Sequence, residues 1–209
     1  LYLNDGRGNL QIAPAGSLPS HPASGSCVVS CDYDGDGDLD LFVGSRFVPA
    51  LYPTTMESVL LENDGTGRFT KTPLAAGLVT GAAWLDVDSD SRIDLAVSTE
   101  WGPIRVFRNT AEGFVDYTEK ASLSKHTGWW TCVSAADIDG DGDFDLLAGN
   151  FGLNTKYQVD DSHPATLFAA DFGNKGELQL VEAQHKEGKL LPVRGRSCST
   201  TAMPHLIPR

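Results

Sequence analysis

The sequence of 209 residues predicts an all-β repeat protein, and two observations carry the prediction. The first is a nine-residue acidic segment that occurs three times: DYDGDGDLD at 32–40, DVDSDSRID at 86–94 and DIDGDGDFD at 137–145. The second is a hairpin signal, in which Asn-Asp-Gly or similar turn residues lie between short apolar segments. The acidic segments begin 54 and 51 residues apart. A period of this size is typical of an array whose units pack against their neighbours.

Each repeating unit is predicted to contain about four strands. A strand of small residues precedes each acidic segment, and a strand rich in Leu, Val and Phe follows it. The first strands are predicted at 27–30, 81–84 and 132–135, and the second strands at 39–43, 93–97 and 144–147. The hairpins are predicted at 1–10, 60–69, 106–114 and 165–180, the last as the hairpin of the third unit. Four strands in roughly 50 residues is the size of one propeller blade.

The predicted architecture is a partial β-propeller of about three four-stranded antiparallel blades and a leading hairpin. Its predicted parts are a hairpin closing a preceding blade (1–20), three blades with one acidic segment each (21–78, 79–123 and 124–195) and a tail that fits the blade pattern poorly (196–209). Both ends of the sequence look cut, so we expect a fragment of a longer protein. Three blades cannot close a ring, so the remaining blades or another copy of the chain are expected as partners.

The acidic segments, called here the first, second and third loops, are predicted to bind calcium. Carboxylates at loop positions 1, 3, 5 and 9 would repel one another unless a cation lay between them, and oxygen-only ligands on a flexible loop favour Ca²⁺. Position 7 is expected to offer its backbone carbonyl, which explains how Arg92 can occupy it. The predicted ligand residues of about three ions are Asp32, Asp34, Asp36, Asp38 and Asp40; Asp86, Asp88, Asp90, Arg92 and Asp94; and Asp137, Asp139, Asp141, Asp143 and Asp145.

The second loop and the segment 171–179 depart from the pattern. Ser91 replaces the glycine that stands at position 6 of the other two loops, but all four carboxylates remain, so the second loop is still expected to bind. In 171–179, Gly173 and Lys175 replace the ligands at positions 3 and 5. We interpret it as an ordinary turn, with a degenerate metal site as the alternative. An EF-hand is excluded, because the twelfth positions lack its glutamate and the flanks are strand-like.

Charge and motifs narrow the function. The net charge is −12, and the three loops hold half of the 28 acidic residues, so the acidity reflects metal-site chemistry and argues against nucleic acid or an anionic membrane as partner. No apolar run is long enough for direct membrane insertion. No catalytic motif occurs and no catalytic residues are predicted. The five histidines are scattered, without the pairing of a zinc site.

At the loops the chain resembles the FG-GAP or VCBS repeat, known from the integrin alpha-subunit propeller and from many bacterial surface proteins. The pattern Asp-x-Asp-x-Asp-Gly-x-x-Asp and then Leu-x-x-x-Gly carries the resemblance in the first and third loops. Gly128-Trp-Trp130 and the segment 149–155 also look like bacterial members of this group. The resemblance covers about residues 1–195. It implies bound calcium and a propeller of roughly seven or eight blades.

The function predicted from these features is a non-catalytic, calcium-binding propeller segment that acts as a scaffold and interaction module. Its expected location is extracellular, periplasmic or at the cell surface, where calcium is millimolar. The ligand is a protein or a carbohydrate. The alternatives are a non-catalytic part of a polysaccharide lyase or other carbohydrate-active enzyme, or a carbohydrate-binding module in which Trp129 and Trp130 stack on a sugar. The resemblance leaves these open, because such propellers serve adhesion, ligand display and some polysaccharide-degrading enzymes.

Overall fold

The computed structural model describes residues 1–152, 154–157, 159–173 and 176–195, and these ranges contain β-strands and no helix. The predicted tail at 196–209 lies outside the described residues. The strands are β1 Tyr2–Asn4, β2 Leu10–Ile12, β3 Ser24–Cys31, β4 Asp40–Phe47, β5 Ser58–Asn63, β6 Phe69–Leu74, β7 Val79–Leu85, β8 Asp94–Pro103, β9 Arg105–Thr110, β10 Gly113–Asp116, β11 Thr127–Ala136, β12 Asp145–Asn150, β13 Thr166–Ala170, β14 Gln179–Lys186 and β15 Lys189–Pro192. Every strand pair is antiparallel, so the predicted all-β class is confirmed.

The first two units have the four strands that the sequence predicts. Strands β3 to β6 form one antiparallel meander, and β7 to β10 form another in the same order. The third unit begins with the pair β11 and β12, and the start of β11 also pairs with the end of β8. The predicted hairpins at 1–10, 60–69 and 106–114 correspond to the pairs β1–β2, β5–β6 and β9–β10.

The segment 165–180 forms strands as predicted, but not as an outer hairpin joined to β12. Strands β13, β14 and β15 make a sheet of their own. At the base of the β13–β14 pair, Ala170 lies opposite Gln179, just as Ala136 lies opposite Asp145 at the base of the third loop. The segment therefore repeats the pairing that begins a unit. In the first unit an Asn-Asp-Gly turn at 63–65 connects β5 to β6, and the sequence after β12 has no such turn.

The core lies between successive sheets. Strand β7 packs against β3 and β4 on one side and against β11 on the other. Phe42 of the first sheet and Leu95 of the second are fully buried in the shared core. Apolar side chains on the outer sides remain in solvent, with Val28 of β3 61% exposed and Leu147 of β12 49% exposed. The second unit is thus covered on both faces, whereas its neighbours are covered on one.

A buried polar network joins the first two sheets. The Glu100 side chain on β8 is 3% exposed, and its Oε2 lies 2.8 Å from Arg46 Nη2 of β4. Tyr52 Oη donates to the other carboxylate oxygen at 2.8 Å, and Trp101 Nε1 donates to Tyr52 Oη at 2.6 Å. Since both oxygens of the buried carboxylate are satisfied, its charge is compatible with burial.

Candidate metal centre

Each acidic loop is the direct connection between two paired strands: β3–β4, β7–β8 and β11–β12. The tight turn needs two residues with positive φ. Gly35 and Gly37 supply it in the first loop, with φ of 80° and 98°, and the third loop uses two glycines in the same way. In the second loop Ser89 and Ser91 adopt φ of 57° and 68°, a conformation that costs a residue with a Cβ atom more than it costs glycine.

The loops bring carboxylates together in three groups. In every group one oxygen of each member lies within 4.8 Å of an oxygen of the other two. The groups are Asp32, Asp34 and Asp36; Asp86, Asp88 and Asp90; and Asp137, Asp139 and Asp145. These are loop positions 1, 3 and 5 in the first two loops and 1, 3 and 9 in the third. Clustered carboxylate oxygens are the donors that Ca²⁺ prefers.

The aspartate at position 1 also shapes the turn. Asp32 accepts hydrogen bonds from the backbone nitrogens of Gly35 at 2.8 Å and Gly37 at 3.1 Å. Asp137 does the same in the third loop, at 2.7 and 3.1 Å. The loop conformation that gathers the carboxylates is therefore built by the chain itself.

The aspartate at position 9 ties its loop to the outer hairpin of the unit. Asp94 is fully buried, and its carboxylate accepts from Val87 N at 2.9 Å and from Asn109 N at 2.7 Å. Asp40 accepts from the corresponding nitrogens in the first unit. Burial raises the pKa of both carboxyl groups despite these hydrogen bonds. Neither residue belongs to the group of three carboxylates in its own loop. In these two loops the aspartate at position 9 therefore holds the loop against the outer hairpin through hydrogen bonds, independently of any metal.

Asp38 carries a charge without a partner among the described residues. The residue as a whole is only half-buried, but its Oδ1 atom is shielded from solvent and accepts no hydrogen bond. Burial, followed by repulsion from Asp36 and other loop carboxylates, raises the pKa of Asp38. A cation would remove both penalties. The first loop thus fits a bound Ca²⁺, and its position-7 side chain contributes charge where only a backbone carbonyl was expected.

Hydrogen bonds connect the three loops along one edge of the stacked sheets. Asn109 Nδ2 donates to Tyr33 O of the first loop at 2.8 Å and to Ile93 O of the second at 3.2 Å. Ser89 Oγ of the second loop donates to Asp143 Oδ1 of the third at 3.1 Å. The candidate sites are therefore neighbours, and a change in one loop can reach the next through a single side chain.

Arg108 is the residue at this edge that sequence reasoning missed. Its Nη2 donates to Asp90 Oδ2 at 2.9 Å, and its Nε forms an ion pair with Asp88 Oδ2 but no hydrogen bond. Hydrogen bonds from the Arg92 backbone and then from Arg108 hold the pKa of Asp90 below its usual value. Within the described ranges no ion pair reaches the carboxylates of the first or third loop. An alignment of the β5–β6 and β9–β10 hairpins on Asn63 and Asn109 would have placed Arg108 beside the second loop. In that alignment the equivalent residue of the first unit is Glu62.

In the segment 171–179, Asp171 makes one of the hydrogen bonds that shape the acidic loops. Asp171 Oδ2 accepts from Gly176 N at 2.7 Å, the same five-residue step that joins Asp32 to Gly37. Asp171 is not a member of any group of three ligands found among the described residues. The interpretation of this segment as an ordinary turn, with a degenerate metal site as the alternative, therefore stays a prediction.

Two further side-chain clusters lie away from the loops. Trp129 contacts Trp101 and Phe151, with ring centroids 5.4 and 5.3 Å apart, beside a cavity of about 250 Å³. His163 and His185, expected to be scattered, meet with their ring centroids 4.8 Å apart. Within the described ranges this pair belongs to none of the groups of three possible ligands.

The comparison with protein families agrees with the loops. Residues 86–148 match the FG-GAP-like repeat, from the first residue of the second loop into β12 and across the whole third loop. No curated protein matches the chain. The described part of the chain has no helix with the length and apolar character to cross a membrane. Over residues 86–148 the chain is therefore similar to the FG-GAP-like repeat, the family that its acidic loops resemble.

Proposed function

We propose that this chain is a calcium-binding segment of a β-propeller in an extracellular or cell-surface protein, where it serves as a scaffold and interaction module. The observation that carries the proposal is the gathering of three carboxylate groups in loops of one shape, at the edge where successive units meet. FG-GAP-like repeats are typical of such extracellular modules, and the match at 86–148 supports that setting.

Calcium would act here as a structural ion. The residues positioned to hold it are the aspartates at positions 1, 3 and 5 or 9 of each loop. Bound Ca²⁺ supplies the positive charge that lets these carboxylates lie together while ionised. An ordered loop would also stabilise the outer hairpin of its unit, because the aspartate at position 9 accepts a hydrogen bond from that hairpin. The donors are the backbone N–H groups of Asn63 and Asn109.

The arrangement of sheets supports the propeller. Two complete four-stranded meanders are stacked so that β3, β7 and β11, the first strands of their units, are neighbours. Apolar residues on both outer sides of the stack are exposed. Covering those faces is the role we assign to further blades or to a second copy of the chain. The chain itself is proposed to be non-catalytic.

Carbohydrate binding is the second candidate, because of the aromatic cavity beside Trp129. Trp101, Phe151 and Tyr157 also line it, and Asp160 adds a carboxylate at its rim. Aromatic faces and a few polar groups in a concave site suit a sugar ring. A glycan array with the wild-type chain and Trp129→Ala tests this candidate. Binding that the substitution abolishes supports it, whereas an array without any signal removes it in favour of a protein ligand.

The leading proposal is tested by thermal unfolding in millimolar Ca²⁺ and in chelator, with Mg²⁺ at equal ionic strength as a control. An ion at one hundred times its dissociation constant stabilises the native state by about 2.7 kcal/mol per site. For a chain of this size the melting temperature should rise by about 5–10 °C per occupied site. Asp116→Asn, outside the loops, should lower the melting temperature equally in both buffers. An identical melting temperature with and without Ca²⁺ would reject structural calcium.

A further inference from the structure

We propose that the Arg108 guanidinium is a built-in counter-cation of the second loop, so that this loop is ordered without calcium and binds Ca²⁺ more weakly than the first and third. The inference rests on the proposed function, since it ranks the three sites. It assigns to a strand residue outside the loops the control of calcium affinity at one of them.

The contacts of the second loop leave none of its three clustered carboxylates alone. Arg108 pairs with Asp88 through Nε and with Asp90 through Nη2. Asp86 accepts from the backbone nitrogens of Asp90 at 3.2 Å and Ser91 at 2.8 Å. Arginine stays charged at every pH that a folded protein experiences, so this compensation is permanent.

The fold places Arg108 at the loop. It lies opposite Val115 in the β9–β10 hairpin, next to Asn109, whose backbone nitrogen is bonded to Asp94 of the same loop. Its guanidinium carbon lies 6.0 Å from the centroid of the Tyr117 ring. Strand pairing, the Asp94 contact and the ring together hold the side chain over the carboxylates.

The first loop has the opposite environment. Asn63 is bonded to Asp40 as Asn109 is to Asp94, so the position equivalent to Arg108 is Glu62. The hairpin position that carries a guanidinium in the second unit therefore carries a carboxylate in the first, and Asp38 Oδ1 has no hydrogen-bond partner among the described residues. A cation from solution would balance the negative charge of the first loop.

Calcium at the second loop must compete with this guanidinium. Arg108 contacts Oδ2 of Asp88 and of Asp90, so Ca²⁺ must share both carboxylates with a guanidinium whose positive charge repels it. This repulsion subtracts from the binding free energy. The second site should consequently fill last in a titration.

The test is isothermal titration of the whole 209-residue chain with CaCl₂ at constant ionic strength. The wild type should show two tight sites and one weak site. Arg108→Gln should tighten the weak site about tenfold, the effect expected when one ion-pair competitor of about 1.4 kcal/mol is removed. Arg105→Gln is the matched control, because Arg105 lies on the same strand but pairs with Asp116 outside the loops. It should leave all three affinities unchanged.

Stability supplies a second readout. In chelator, Arg108→Gln should melt below the wild type, because Asp88 and Asp90 lose their ion pairs with Arg108, and Ca²⁺ should restore most of the difference. Arg108→Lys keeps the positive charge but not the planar guanidinium that reaches both Asp88 and Asp90. The calcium affinity of its second site should lie between those of the wild type and Arg108→Gln. The reciprocal variant Glu62→Arg should weaken a tight site.

The outcomes separate the two proposals. Three equal sites in the wild type, or a weak site that neither Arg108→Gln nor Arg108→Lys alters, would overturn the role of Arg108 and leave the calcium scaffold standing. A wild-type chain that takes up no Ca²⁺ would overturn the scaffold and this inference with it. Should Arg108→Gln not fold even with calcium, the lysine and Glu62 variants decide.

Discussion

The first and second loops share carboxylate spacing, strand register and turn geometry, yet their charge environments are opposite. Glycines make the turns of the first loop, and Glu62 of the adjacent hairpin adds another negative charge. Serines make those of the second, and Arg108 pairs with two of its aspartates. The comparison shows that the spacing of aspartates within a loop determines where the carboxylate oxygens lie. A residue on the neighbouring strand determines how much of their negative charge is left for a bound cation to balance.

The largest expected effect comes from removing a position-1 carboxylate. Asp32→Asn should abolish most of the calcium-dependent stabilisation of the first site, about 2–3 kcal/mol when Ca²⁺ is in hundredfold excess over its dissociation constant. Asp86→Asn should remove much less, because the second loop already has its own cation. Melting temperatures in Ca²⁺ and in chelator give both values. Equal losses for the two variants would contradict the comparison.

A smaller effect is expected at the asparagines that brace the loops. Asn109→Ala removes two donated hydrogen bonds, including the one to Tyr33 O that joins two units, and should cost about 1–3 kcal/mol. Asn63→Ala removes the donor to Leu39 O and the acceptor for Gly67 N, both within one unit, and should cost about 1 kcal/mol. Urea unfolding in saturating Ca²⁺ measures both. The reverse order would show that the contact between loops adds nothing.

The turns themselves allow a pair of backbone substitutions. Gly37→Ala places a Cβ at φ 98° and should destabilise by about 1–2 kcal/mol. Ser91→Gly relieves a residue at φ 68° and should stabilise by about 0.5 kcal/mol, because the relief outweighs the added freedom of the unfolded chain. Denaturant unfolding in chelator isolates these terms from calcium binding. A stabilising Gly37→Ala would refute the assigned turn.

The smallest effect is a pH dependence at Asp38. Because its pKa is raised in the folded state, the carboxyl favours folding when protonated, and that stability is lost as the pH rises from about 3.8 through the raised value. In chelator, Asp38→Asn should therefore match the wild type at pH 3.5 and melt slightly above it at pH 7. In Ca²⁺ the two should differ little, because the ion balances the charge. A wild type that is the more stable of the two in chelator at pH 7 would oppose this view.

Local features were predictable from sequence. The acidic loops, the small first strands and the turns at Asn-Asp-Gly follow from residue types within a few positions of one another, and the hairpins β1–β2, β5–β6 and β9–β10 appear where predicted. Carboxylates at alternate positions of a tight turn must converge, so the groups led by Asp32, Asp86 and Asp137 were accessible from spacing alone. The all-β class follows from the same signals.

Contacts across the fold were not predictable, because strand register and sheet stacking decide them. Spacing within the loop gave no sign that Asp94 would be bonded to a nitrogen 15 residues away, or that Arg108 would face Asp88 and Asp90. The separate sheet of β13 to β15 and the meeting of His163 with His185 likewise arise from long-range pairing. Sequence by itself determined that acidic loops join the first two strands of each unit. Tertiary structure alone decided which loop pairs with the guanidinium of a neighbouring strand, since packing brings that strand alongside the loop.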